Sequence, residues 1–139
     1  MKFMFRIVMA FQVFLYRLTG GKRGGEMRGF KVLLLTTKGR KSGRTYTTPL
    51  GCFDHAEGYV IVASNAGQPA NPAWFYNLKN DPHVTIQVMD KKMPVTAEVL
   101  SGEVRAQAWQ RVVETAPGYA DYQTRTTREI PLILLRPNQ

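Results

Sequence analysis

Four cations fall within seven residues in the segment Thr36-Thr-Lys-Gly-Arg-Lys-Ser-Gly-Arg-Thr45: Lys38, Arg40, Lys41 and Arg44. Gly39 and Gly43 permit tight backbone geometry and a close approach of N–H groups to an anion. Ser42 can donate a hydroxyl hydrogen bond. Arg40 and Arg44 can clamp a phosphate or carboxylate through two parallel bonds, and Lys41 adds a point charge. The spacing is not that of a Walker loop, and no helix is expected to follow it. Taken alone, the segment is an anion site or a solvated hairpin tip.

Two further stretches carry chemistry. Ser64-Asn-Ala-Gly67 closes a strand with small residues and can offer backbone N–H groups to a flat or phosphorylated ligand. Tyr119 and Tyr122 are three apart, so they become neighbours if that piece is helical. A phenol couples an apolar body to a transferable proton, which suits a lid over a flat substrate. Ordinary surface tyrosines are the plain alternative. His55 and His83 lie in a turn and at a strand start, and Cys52 lies in an apolar strand, where it reads as an inert buried thiol. No metal set and no Ser-His-Asp arrangement follows from these residues.

The surrounding elements must position these groups. The chain has 139 residues, 44% of them hydrophobic, enough for one domain with a real core. One cysteine excludes an internal disulfide and makes a reducing compartment the default. Residues 1–48 hold eleven Lys/Arg and one Glu, whereas residues 49–139 hold eight Lys/Arg and nine Asp/Glu. The excess charge of +9 therefore resides in the first third and predicts an anionic ligand, membrane or nucleic acid. Nucleic acid is disfavoured, because no recognition motif accompanies the cations and the aromatic residues lie elsewhere.

Residues 1–20 read as a basic amphipathic helix with Lys2, Arg6 and Arg17 on one stripe. Its apolar run is too short to span a bilayer, and no small-residue cleavage site follows. It suits peripheral contact with the inner face of a cell membrane, docking on the domain, or a homodimer contact. A glycine-rich basic loop follows. Strands are expected at Val32–Thr37, Thr45–Phe53, Tyr59–Ser64, Val84–Val88, Val95–Leu100 and Ile130–Leu135, with a hairpin turn at Asp54–Gly58. Helices are expected from Pro72 as first helical residue to Asn80, and from an N-cap at Ser101 to about Thr115. Trp74, Phe75 and Tyr76 cannot share one helix face, so one of them must point outward. The pattern is mainly β (α+β), a small antiparallel barrel spanning residues 21–139.

The segments LLTTKGRKSGRTYTTPL, VIVASNAG, NPAWFYNLKNDPHVTIQV and APGYADYQTRTTREIPLILLRP occur in that order. Together they resemble the deazaflavin-dependent nitroreductase family over about residues 30–137. The resemblance implies an FMN-binding-like split β-barrel and coenzyme F-420 as cofactor. It assigns Arg40, Lys41, Ser42, Gly43 and Arg44 to the cofactor's phosphate and oligoglutamate tail, and counts Thr45 among the cofactor-binding residues. It assigns Leu34, Leu35 and Thr36 to the deazaflavin edge, and Ala63, Ser64, Asn65, Ala66 and Gly67 to a cradle for the ring and its linker. Pro72 and Trp74 would pack nearby. Tyr119, Tyr122 and Ser64 would serve catalysis by hydrogen bonding or proton donation.

The implied reaction is hydride transfer to a small apolar or aromatic acceptor: an enone, a quinone or a nitroaromatic. Departures from the family pattern are Asn65 in place of a cation, and Gly51 and Ala116 where nitroimidazole-active members often carry tyrosine. They imply a wider pocket and argue against nitroimidazole reduction. The alternatives are an FMN-dependent split-barrel oxidoreductase, whose single phosphate would leave much of the basic turn unmatched, and a non-catalytic deazaflavin-binding protein. Cytoplasmic placement is expected, with the membrane surface as the variant.

Overall fold

The computed structural model describes the backbone of residues 2–22, 26–27 and 30–138, and the side chains of residues 7–22 and 30–138. Helix α1 (Lys2–Thr19) precedes a two-residue strand β1 (Glu26–Met27), which sits inside the stretch expected to be loop. The barrel strands are β2 (Phe30–Lys38), β3 (Thr45–His55), β4 (Gly58–Val62), β5 (His83–Val88), β6 (Lys91–Val99) and β7 (Leu132–Pro137). Helices α2 (Ala73–Asn80), α3 (Gly102–Thr115) and α4 (Gly118–Thr124) interrupt them, together with a single 3₁₀ turn at Asn65–Gly67. All pairings are antiparallel in the order β2-β3-β4-β7-β6-β5, and β5 pairs back onto β2 to close a six-stranded barrel.

The closing seam is short. β2 and β5 share only the pairs Leu34–Gln87, Leu35–Ile86 and Thr36–Thr85. Beyond it the strands diverge and leave backbone groups without a ladder partner, which buried backbone does not tolerate. Tyr16 of α1 fills this gap. Its hydroxyl lies 2.8 Å from the Val32 carbonyl and 3.2 Å from the Gln87 carbonyl, and accepts from the Met89 N–H at 2.8 Å. Of the readings open for the first helix, docking on its own domain is therefore realised, although its outer face stays uncovered. The stripe residues Lys2 and Arg6 lie outside the described side chains.

β2 reads as a continuous apolar run because both its faces are covered. Leu33 and Leu35 point into the barrel with Ile61, Ile86, Ile133 and Leu135. Val32 and Leu34 face outward beneath Val13 and Tyr16. A second outer core forms where α3 and α4 cover β4 and β7, with Phe53, Val60, Val62, Val112, Ile130 and Leu134. At α2 the chain buries Trp74 and Phe75 and leaves Tyr76 half-exposed. Pro72 stands one residue earlier than expected, as N-cap: its ψ of 155° is extended, so the helix begins at Ala73. Ser101 holds the N-cap position of α3 without a side-chain capping bond.

Candidate active site

The basic turn joins β2 to β3 and is closed by Gly39 N–H to the Arg44 carbonyl at 2.7 Å and Gly43 N–H to the Gly39 carbonyl at 2.9 Å. Arg40, Lys41, Ser42 and Gly43 line a concavity of about 390 Å³ with Lys38, Gly39, Asn80 and Asp81. Arg44 and Thr45 lie at its margin, exposed. None of the four cations forms an ion pair among the described residues, whose salt bridges involve Lys31, Arg105 and Arg136. Four cations against the single carboxylate of Asp81 leave the concavity with a net positive charge that favours an anion.

Helix α2 holds the turn in place. Asn77, 7% exposed, accepts the Arg40 backbone N–H at 3.2 Å and donates to the Thr37 hydroxyl at 3.3 Å. The Arg40 guanidinium lies over the Tyr76 ring at 5.0 Å, a cation–π contact that fixes the side chain without neutralising it. Neither Asn77 nor Tyr76 is distinctive in sequence, since each becomes functional only by meeting a turn 30 to 40 residues away.

Tyr119 and Tyr122 lie on α4, with ring centroids 5.9 Å apart. They line a pocket of about 210 Å³ with Phe30, Thr115, Ala116, Pro117 and Gly118. No charged side chain lines it. Phe30, Phe53 and Tyr119 form one aromatic cluster, with centroids 5.5 to 6.3 Å apart. Burial pushes the Tyr119 phenol above its ordinary value of 10.0, with lesser contributions from Tyr122 and Cys52. Tyr119 thus stays protonated at neutral pH and keeps a hydrogen to donate.

The Ser64–Gly67 turn packs against this helix. Asn65 and Ala66 take left-handed backbone (φ 47° and 55°), a conformation that costs an L-residue roughly 1–2 kcal/mol. Gly67 (φ 76°) is required: a Cβ there would stand 2.7 Å from the Tyr122 carbonyl and 2.9 Å from Arg125 Cβ. Strain of this kind persists where the surroundings over-determine the backbone, and it concentrates at functional sites. The Ser64, Tyr119 and Tyr122 hydroxyls make no hydrogen bond among the described residues.

Other expected site residues are placed differently. Leu35 faces the barrel interior and Leu34 lies under α1, both 2% exposed or less. Thr36 alone of that trio keeps a partly open side chain, 2.9 Å from the Thr47 hydroxyl. Trp74 is part of the barrel core, so its role is packing. Pro72 stands between the Ser64 turn and α2. Asn77 ties the basic turn to α2, and Gly67 packs the Ser64 turn directly on Tyr122 and Arg125. No group of potential metal ligands occurs among the described residues.

The fold is a small closed antiparallel β-barrel that carries a cationic concavity and an uncharged aromatic pocket. The family model described as F420H(2)-dependent quinone reductase matches residues 8–137, and the chain belongs to that family. Its members are oxidoreductases whose cofactor is coenzyme F-420, and the FMN alternative finds no support among these matches. The chain is 40% identical over 125 residues to the F420H(2)-dependent quinone reductase Rv1261c of Mycobacterium tuberculosis, covering 87% of this chain and 84% of the relative. It superimposes on the solved F420-H2 Dependent Reductase (FDR-A) with a TM-score of 0.70 at 42% identity, covering 76% of this chain and 93% of that one. A second solved structure, described as a domain-swapped dimer, has a TM-score of 0.74 at 36% identity, covering 91% and 94%.

Proposed function

We propose that this protein transfers a hydride from reduced F-420 to a quinone. The observation that carries the reading is the pairing of a four-cation turn of net positive charge with an uncharged aromatic pocket in one small barrel. The cofactor supplies a two-electron hydride donor when bound. Arg40, Lys41, Ser42 and the turn amides would hold its tail, and Ser64–Gly67 its ring end.

The chain's own residues then perform three tasks. The pocket of Phe30, Tyr119 and Tyr122 receives a flat apolar acceptor and excludes water around it. Hydride addition to a quinone develops negative charge on oxygen. The uncommitted hydroxyls of Ser64, Tyr119 and Tyr122 would meet that charge or supply the proton. Enones and nitroaromatics share this acceptor chemistry and form the finer reading, with the small residues Gly51 and Ala116 leaving room for ring substituents. The absence of tyrosine at these two positions motivates the non-catalytic carrier as rival.

The experiment is oxidation of reduced F-420, followed by its absorbance, on addition of a soluble naphthoquinone to the wild type and to Tyr122→Phe. Multiple turnovers by the wild type, with turnover in Tyr122→Phe falling more than cofactor affinity, support the reading. Tight F-420 binding with no more than one turnover identifies a carrier instead.

A further inference from the structure

We infer that Arg128 is the positioning residue of this site: it clasps the strained Ser64–Gly67 turn shut and registers it against the tyrosines of α4. The inference rests on the proposed function for its catalytic consequence, and on geometry alone for the clasp.

The guanidinium meets four acceptors. Its Nε donates to the Gln68 carbonyl at 3.0 Å. One terminal nitrogen donates to the Ala63 carbonyl at 3.2 Å and to Asn71 Oδ1 at 2.6 Å. The other donates to the Ser64 carbonyl at 2.8 Å. Two acceptors precede the left-handed residues and two follow them, so a single planar group ties the entry of the turn to its exit. Within the turn, Gly67 N–H donates to Ser64 at 2.9 Å, Gln68 N–H to Asn65 at 3.1 Å, and the Asn65 amide to Ala70 at 2.9 Å, while at the entry Ala63 N–H donates to the Pro131 carbonyl at 3.0 Å. Arg128 supplies the tie that joins entry to exit.

Arg128 is itself held to α4. Gln123 on that helix donates to the Arg128 carbonyl at 2.7 Å and accepts the Ile130 N–H at 3.0 Å. The helix that carries Tyr119 and Tyr122 and the turn that carries Ser64 are thereby fixed relative to each other through one residue. Lysine cannot replace it: an ammonium has three donors on one atom, whereas these acceptors need a fork spanning two edges. Arg128 also forms no ion pair among the described residues. Its charge is spent on carbonyls that border the site.

The test uses full-length Arg128→Lys, Arg128→Ala and Asn71→Ala, with Arg136→Gln as control, since Arg136 pairs with Glu57 and Glu98 away from the site. The first readout is amide hydrogen exchange of Gly67 and Gln68 in ligand-free protein. Arg128→Lys is expected to raise it at least about tenfold while the thermal transition stays near that of the wild type. The second is turnover of reduced F-420 with a naphthoquinone. Arg128→Lys is expected to lower kcat at least about tenfold with the quinone KM within about threefold, because misplacement costs rate more than affinity. Added methylguanidinium should restore part of the rate of Arg128→Ala; if that variant does not fold, Arg128→Lys and Asn71→Ala decide. Unchanged exchange in Arg128→Lys overturns the clasp, and unchanged kcat overturns its catalytic role. A wild type that never oxidises reduced F-420 defeats the functional reading, and the exchange arm still decides whether Arg128 holds the turn.

Discussion

The Tyr119 hydroxyl lies 3.1 Å from the point that a Cβ on Gly51 would occupy, and the same point collides with the Phe30 ring. Gly51 is paired with Val32 in the middle of β3, where glycine is otherwise unfavourable. Its absence of a side chain is what lets the Phe30 ring and the Tyr119 hydroxyl sit against β3 at the pocket wall. Gly51→Ala should push the Phe30 ring aside and narrow the entry to Tyr119. The expected result is a fall of about tenfold in kcat/KM for substituted quinones, with F-420 affinity within about threefold of the wild type. Equal losses for the smallest and the largest quinone would show that Gly51 serves the strand rather than the pocket.

The basic turn should behave as a clamp for an anionic tail. Arg40 is held by Tyr76 and Asn77, whereas Lys41 is exposed and unstacked. Arg40→Lys loses the stacked, forked group and should weaken F-420 binding by about tenfold, more than charge conservation alone would suggest. Lys41→Ala should weaken it by less and flatten its dependence on salt. Fluorescence titrations at two ionic strengths measure both effects. Affinity insensitive to salt in the wild type would remove the electrostatic role of the turn.

Much of the barrel is legible in the sequence. β-branched runs such as Val84–Val88 and the polar turn at Asp54–Gly58 encode strands and a hairpin locally, and both occur where expected, within a residue or two. The site is legible only where one short segment contains its own chemistry, as in Lys38–Arg44. Tyr16, Asn77 and Arg128 carry no such local signal. Tyr16 looks like one more apolar residue of an amphipathic helix, and Arg128 like one of several arginines in a polar stretch. Their roles arise from partners 16 to 73 residues away in the chain. Leu34 and Leu35 show the converse limit, because a strand covered on both faces turns neither leucine toward a ligand.

Tyr16 should matter for stability out of proportion to its position in a terminal helix. Its hydroxyl serves three backbone groups where the β2–β5 seam ends. Tyr16→Phe keeps the ring and leaves those buried groups unmatched, at a cost of about 1–3 kcal/mol. Urea unfolding should show a lower midpoint with an unchanged slope. A midpoint equal to that of the wild type would mean that water replaces the hydroxyl without penalty.

Alkaline pH should destabilise the fold through the same buried groups. Burial pushes the Cys52 thiol from its ordinary 9.0 up to about 12, and raises Tyr16 and Tyr119 above 10.0. Each group holds its proton more tightly when folded. Its contribution is complete below the unfolded value and is lost as pH rises through the folded one. Stability should therefore decline from about pH 9 toward pH 12. Cys52→Ala should soften the first part of that decline, and an identical pH profile in this variant would exclude the thiol as a cause.

Helix α1 presents Ile7, Val8, Phe11, Phe14 and Leu18 to solvent while Val13 and Tyr16 anchor its other face. No described helix is long and apolar enough to cross a membrane. We propose that this apolar stripe, on the basic third of the chain, meets the surface of an anionic bilayer instead. Deleting residues 1–20 would be a poor test, because it removes Tyr16 and opens the barrel seam. The double change Phe11→Glu and Phe14→Glu leaves that anchor intact. It should reduce co-sedimentation with phosphatidylglycerol vesicles at least about tenfold and leave F-420 affinity unchanged. If the wild type ignores vesicles but sediments as a dimer that the double change dissociates, the stripe is a contact between copies of this chain, and the membrane reading is wrong.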